Sequence, residues 1–305
     1  MKIVLSAFAS LQFKERTMKR TEVIEQGKGC VGGKPPPPLA VTLPELPSVP
    51  SAWRGAKFVV RTLLGSGEDN PKLRKSNRAG TPFKTWGLAL APAMESGFQT
   101  CASSSAACRS HCLYRQGHAR IDPSIAACRV AKTIAWKKHR EWFEARLRYE
   151  LARIEKRARE KRFCAAIRLN LTSDIMWEAE LPELFEQFAD FQFYDYTKHT
   201  RRLTRFVKGE LPANYHLTFS RSDKNDLQAR DVLMAGANVA VVFRSRPFPA
   251  RYLGFAVIDG DTTDLRFLDP AGVVVGLSAR GTAKGDESGF VVDADGEKWS
   301  LRMAQ

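Results

Sequence analysis

The sequence predicts a parallel α/β domain, a partial or full (β/α) barrel of about six to seven strands. Three observations predict it. Apolar runs of four to six residues alternate with helical stretches, the pattern of βαβ units. The loops after those runs are polar and several end in charged side chains, and such strand-end loops are where α/β domains gather function. No GxGxxG opens a helix and no GxxxxGK[ST] occurs, so a dinucleotide-binding Rossmann domain or an NTPase is not indicated. A doubly wound open sheet is the alternative.

Residues 1–54 read as a flexible Pro-rich N-terminal segment. Pro35, Pro36, Pro37 and Pro38 stand in a run, with Pro44, Pro47 and Pro50 beyond, a composition that favours extended polyproline II. Residues 55–305 read as one barrel-like domain. Its first short buried strand is 86–91. A long basic helix follows over 123–161, with Asp122 as cap, Pro123 in the first turn, and Ile134, Trp142, Leu147, Leu151 and Ile154 at helical spacing. The remaining predicted strands are 165–170, 191–196, 215–219, 238–243, 255–258 and 273–277. The helices between them are 182–188, 201–208 and 226–235.

Composition bounds the function. The chain has 305 residues, 48 Lys plus Arg against 33 Asp plus Glu, and a net charge of +15. A hydrophobic fraction of 44% and a charged fraction of 27% are those of a folded domain. The charge points to a polyanionic partner, nucleic acid first. The helix 123–161 concentrates it: Lys137, Lys138, Arg153, Arg157 and Lys161 are among a dozen cations facing five glutamates. Such a face contributes phosphate affinity but reads no sequence. No apolar run reaches membrane-spanning length, so no membrane partner is expected.

Six cysteines do not make a disulfide framework. Cys128 and Cys164 read as small hydrophobes. Cys101, Cys108 and Cys112 crowd into a Cys-x6-Cys-x3-Cys loop, which in a reducing cytoplasm signals metal or redox chemistry. Three thiolates suit three irons of a [4Fe–4S] cluster with the fourth left open. They equally suit zinc, with His111, His118 or Cys128 as fourth ligand.

Strand-end loops supply the other candidates. Asn170, Asp174, Lys198 and Ser220 are candidate catalytic residues at the mouth. Tyr114, Thr172, Ser173 and Tyr196 are candidate cofactor-binding residues. Asp174, Asp195, Asp259 and Asp261 form a candidate carboxylate cluster for magnesium, the requirement of a metal-dependent nuclease.

Several motifs occur together in one order: 71–77, rich in Lys and ending in Asn77; 88–92, ending in Pro92; Thr100-Cys101 through Cys108-x3-Cys112 to Tyr114; Arg168-Leu169 through Ser173-Asp174; and Tyr196-Thr197-Lys198. In these motifs the chain resembles the phage and prophage family typified by mycobacteriophage gene product 88, over roughly 65–280. Cys-Leu-Tyr stands where that family has Cys-Tyr-Ala, and Thr172-Ser173 replaces Ser-Gly. The layout, a cysteine cluster after the first barrel strand, is similar to that of radical S-adenosylmethionine enzymes. Cys108-x3-Cys112 matches the first half of their motif. Arg115 stands at the third position, so Cys101 supplies the third thiol from upstream. The resemblance implies an iron–sulfur cluster used with S-adenosylmethionine. It also implies a phage origin and a location in the cytoplasm of a bacterial host. The expected function is an iron–sulfur enzyme acting on a nucleic acid or nucleotide-like substrate. The alternatives are a zinc-stabilised basic nucleic-acid-binding protein without catalysis, and a magnesium-dependent nuclease.

Overall fold

The computed structural model describes residues 34–68, 71–77, 80–115 and 121–293. In chain order, β1 (Leu39–Thr42) and β2 (Lys57–Val60) form an antiparallel pair of their own. Then come β3 (Leu64–Ser66), α1 (Pro71–Asn77) and β4 (Phe83–Leu88). The cysteine loop carries α2 (Ala106–Ser110) and leads to α3 (Pro123–Lys138) and α4 (Arg140–Lys161). Next are β5 (Cys164–Arg168), α5 (Trp177–Glu180), α6 (Pro182–Gln187) and β6 (Gln192–Thr197). They are followed by α7 (Thr200–Val207), β7 (Tyr215–Ser220), α8 (Asp226–Met234) and β8 (Val239–Phe243). The last strands are β9 (Arg251–Tyr252), β10 (Phe255–Asp259), β11 (Val274–Ser278) and β12 (Val291–Val292).

The main sheet has ten strands, in the order β3-β4-β5-β6-β7-β8-β11-β10-β9, with β12 also on β8. Neighbours from β4 to β10 along that order are parallel, while β3 and β9 are antiparallel to theirs. Consecutive strands β4 to β8 lie side by side, as βαβ crossovers place them. The mixed α/β sheet with helices is thus as expected. Closure into a barrel is not seen: no strand pairing joins β3 to β9 among the described residues. Instead α1 links the two flanks. Lys75 Nζ donates to Asp261 O at 2.7 Å, and Ser76 Oγ accepts from Asp264 N at 2.9 Å.

Alternation along the strands sorts the core. Ala165, Ile167 and Phe193 join the large apolar cluster with the helices. Ala166 and Tyr194 face the other way, onto Phe83, Leu265 and Phe267. The large cluster runs from Val41 to Val292, so β1 and the segment before β2 share the core of the rest.

Two expectations need correction. The segment 1–54 is not wholly a flexible appendage. Residues 1–33 lie outside the described residues, but 34–54 are packed. Leu43 and Val49 are fully buried, and Trp142 Nε1 donates to Pro37 O at 2.7 Å. The extended proline run leaves its carbonyls unpaired, and side chains of α4 take them up. The predicted helix 123–161 is two helices, broken at His139 (φ −132°, ψ 54°). The break lets Trp136 and Phe143 both bury against Trp177, with ring centroids 4.7 and 6.2 Å from it. The start is as expected: Asp122 accepts from Ser124 N at 2.8 Å, with Pro123 in the first turn.

Pairing across sequence explains the elements that pattern alone misses. Glu150 of α4 accepts from Leu63 N at 2.9 Å and Leu64 N at 2.8 Å, and Lys132 Nζ donates to Leu63 O at 2.8 Å. These contacts hold the three-residue β3 at the sheet flank. Among the described residues, no helix is long and apolar enough to cross a membrane.

Candidate metal centre and strand-end site

The cysteine loop follows β4 and lies across the carboxyl ends of the parallel strands, tied at three places. Asp174 N donates to Thr100 O at 2.8 Å, joining it to the loop after β5. Ser105 Oγ donates to Asp223 in the loop after β7. The same Ser105 caps α2 by accepting from Cys108 N at 3.0 Å, the usual work of a serine at that place. His111 Nε2 meets Asp286 Oδ1 at 2.9 Å and its Nδ1 meets Thr282 Oγ1 at 3.2 Å. His111 therefore tethers the loop to the segment before β12 and does not join the thiols. Burial pushes the Asp286 carboxyl up, but hydrogen bonds from Ser288, Val291 N and His111 outweigh it and hold it down at about 2.

The three cysteines converge. Cys101, Cys108 and Cys112 line one cavity of about 30 Å³ with Pro92, Ala93, Glu95, Ser104, Arg109 and Tyr114. Burial pushes the Cys101 thiol up to about 11, against the opposing effect of the Ala93 amide and Thr100. It is thus a thiol at neutral pH, and a metal would displace its proton. Cys101 Sγ also lies 3.7 Å from Thr172 O. Ala93 holds φ 44°, a left-handed backbone that costs a residue with a Cβ.

The thiols are not drawn to a single point. Among the described residues, no three His, Cys, Asp or Glu side chains are gathered closely enough to hold one metal ion. A tetrahedral zinc brings its thiolates to about 3.8 Å from one another. A cubane holds each thiolate on a different iron, farther apart. The thiols share one cavity, but as they stand they gather round no single metal ion. Of the other predicted zinc ligands, His118 lies outside the described residues and Cys128 does not line the cavity.

Of the predicted catalytic residues, Lys198 and Ser220 meet: Lys198 Nζ donates to Ser220 Oγ at 2.8 Å, joining the ends of β6 and β7. Asp174 accepts from Lys198 N at 2.8 Å and from Arg202 Nη1 at 3.0 Å. Asn170 is not at the mouth. It is buried, donating to Asp195 Oδ2 and Ile175 O and accepting from Ser173 Oγ and Trp177 Nε1. It fixes the loop after β5, a positioning role.

The predicted cofactor residues do not form one surface. Only Tyr114 lines the thiol cavity, with the Arg129 guanidinium 5.3 Å from its ring. Thr172 Oγ1 donates to Leu90 O at 2.6 Å and Ser173 Oγ to Asn170 Oδ1 at 2.8 Å. Tyr196 is directed under the sheet to Asp264, at 3.2 Å. Strand alternation puts it on the face opposite Asp195. Nor do the four carboxylates converge. Asp195 is buried on Asn170 and Tyr215, while Asp259 and Asp261 share Arg246 at the end of β10 and beyond.

The sequence pattern gives no sign of Arg202, Glu178 or Asp286, and marks Asp223 only as part of the polar loop after β7. Arg202 forks onto both oxygens of Glu178 at 2.8 Å and reaches Tyr215 OH at 2.7 Å. A single arginine in a basic helix carries no signal of such a role. Nor does Ala93, whose conformation glycine alone would have announced.

A family model described as gene product 88 matches residues 62–294. The chain belongs to the gene product 88 family, a phage gene-product family. The match begins just before β3 and ends just after β12, so family membership covers the whole ten-stranded sheet and the cysteine loop and leaves out β1 and β2. No curated protein and no solved structure matches the chain.

Proposed function

We propose that this gene product 88 family member is an iron–sulfur enzyme acting on a nucleic acid or a nucleotide-like anion. One observation carries the reading: Cys101, Cys108 and Cys112 line one cavity at the carboxyl ends of the parallel strands. Strand ends are where barrel-like α/β proteins place their chemistry. Three thiolates leave one iron of a cubane open to a ligand, and such a cluster supplies electron transfer or Lewis acidity. The chain's own residues supply the rest. Lys198 and Ser220 offer an ammonium and a hydroxyl at the mouth, and Ser105, Asp223, His111 and Asp286 hold the loop in place.

The polyanion follows from charge. Arg153, Arg157 and Lys161 stand one turn apart and exposed on α4, and Arg157 and Lys161 make no ion pair among the described residues. S-adenosylmethionine does not fit the residues predicted for it, because Thr172, Ser173 and Tyr196 are committed to protein partners away from the thiols. A magnesium nuclease is less favoured, since its carboxylates are dispersed.

The test is anaerobic purification with metal analysis and a visible spectrum, on wild type and on Cys101→Ala, Cys108→Ala and Cys112→Ala. The reading expects about four irons per chain and broad visible absorption, lost in each variant. One zinc and no colour would move the conclusion to a zinc-stabilised binding protein. A colourless, metal-free protein would remove both.

A further inference from the structure

Beside the thiol cavity lies a second, larger one. It is an open recess of about 500 Å³ lined by Ser48, Ala93, Met94, Glu95, Gln99 and Arg109. That volume is in the roughly 300–1,000 Å³ range of small-molecule sites. Ala93, Glu95 and Arg109 line both cavities, so an occupant of the recess abuts the thiols. The wall between them is strained, since Ala93 at φ 44° opens the turn in which Glu95 N donates to Pro92 O at 3.0 Å.

The polar groups of the recess are of two kinds. Arg109 uses Nη1 on Ser104 O at 2.7 Å and Ser104 Oγ at 3.4 Å, and its Nε and Nη2 make no further hydrogen bond among the described residues. Gln99 Oε1 accepts from Cys101 N at 2.9 Å, which leaves its amide NH₂ to donate. Glu95 lies on the wall, its backbone carbonyl accepting from Ser48 Oγ at 2.7 Å. Met94 is 55% exposed and offers a soft apolar surface. A ligand that matches carries an anion for Arg109, a flat apolar body for Met94, and an acceptor for the Gln99 amide.

We propose that this recess binds one nucleotide unit, its phosphate on Arg109 and its base over Met94. The inference rests on the reading of the chain as an enzyme for nucleic acid or nucleotides, and it assigns that substrate a place. A free mononucleotide and the phosphorylated end of a strand share this chemistry.

The experiment is equilibrium binding of adenosine 5′-monophosphate and of a 5′-phosphorylated ten-residue oligothymidylate. Wild type, Arg109→Ala and Met94→Glu are compared, with metal content measured on each sample. Loss of a charged hydrogen-bonding partner is expected to weaken the mononucleotide about tenfold or more. Metal content stays at the wild-type level in Met94→Glu, since Met94 does not line the thiol cavity. Binding of both probes through Arg109 places a free nucleotide in the recess. Binding of the oligonucleotide alone, weakened by both substitutions, places a strand end there. No binding of either probe to wild type, or binding within twofold of wild type in Arg109→Ala, overturns the proposal. Nucleotide binding that depends on Arg109 in a metal-free protein would keep the recess and remove the cluster.

Discussion

Arg202 grips Glu178 with two parallel hydrogen bonds of 2.8 Å, and both side chains are 1% exposed. The same guanidinium reaches Asp174 and Tyr215. It thereby joins the loop after β5 to α7 and β7. Removing one member of a buried charged pair leaves the other uncompensated, at a cost of about 3–5 kcal/mol. Arg202→Ala is therefore expected to lower the urea midpoint sharply. Glu178→Gln, which keeps an acceptor for Arg202, is expected to cost less. Equal, small decreases in the two variants would contradict this account.

Asp195 gives a pH dependence of unusual sign. Burial pushes its carboxyl up to about 6, opposed by Arg168, by Tyr215 and by the Asn170 amide. An unfolded aspartate titrates near 3.9. Between about pH 4 and 6 the folded chain holds the extra proton, so Asp195 makes stability fall as pH rises through that window. The change is about 2–3 kcal/mol. Denaturation of wild type and Asp195→Asn at pH 4 and pH 7 measures it, and the variant is expected to lack this part of the slope.

Ala93 stands in a backbone conformation that glycine adopts freely. Ala93→Gly relieves the strain and adds unfolded-state entropy, with a net gain of about 0.5–1 kcal/mol. A small rise in melting temperature is the expected result. A fall would mean that the Ala93 methyl contributes packing that outweighs the strain.

Trp142 ties the proline run to α4. Trp142→Phe keeps an aromatic ring but removes the donor to Pro37, at a cost of about 1 kcal/mol. Limited proteolysis within 34–50 is expected to speed up about fivefold, while cleavage elsewhere stays as in wild type. An unchanged pattern would show that burial of Leu43 and Val49 alone holds the segment.

The row Arg153, Arg157 and Lys161 tests the polyanion reading. Reversing all three to Glu is expected to weaken oligonucleotide binding. Its salt slope is expected to fall by about one for each phosphate that these cations neutralise in wild type. Unchanged affinity and slope would clear this face of α4 of any role in holding phosphate.

Local pattern was enough for part of this molecule. Apolar runs placed β5 to β8, β10 and β11 within a residue or two of their bounds, and Asp122-Pro123 announced the start of α3. The Cys-x6-Cys-x3-Cys spacing marked the loop that gathers three thiols. Whatever depends on distant partners was set by the tertiary structure. It broke the long helix at His139 so that Trp136 and Phe143 could share Trp177. It drew residues 34–54 into the core, because side chains of α4 donate to the carbonyls that the proline run leaves unpaired. It separated the aspartates of one candidate site, because they stand on β6, β10 and the loops after β5 and β10, and it buried Asn170 on Asp195 and Trp177. It turned His111 away from the cysteines to Asp286, 175 residues on. Local propensity is a property of a few neighbouring residues. The partner of a buried charge or an unpaired carbonyl is set only when the sheet has brought its loops together.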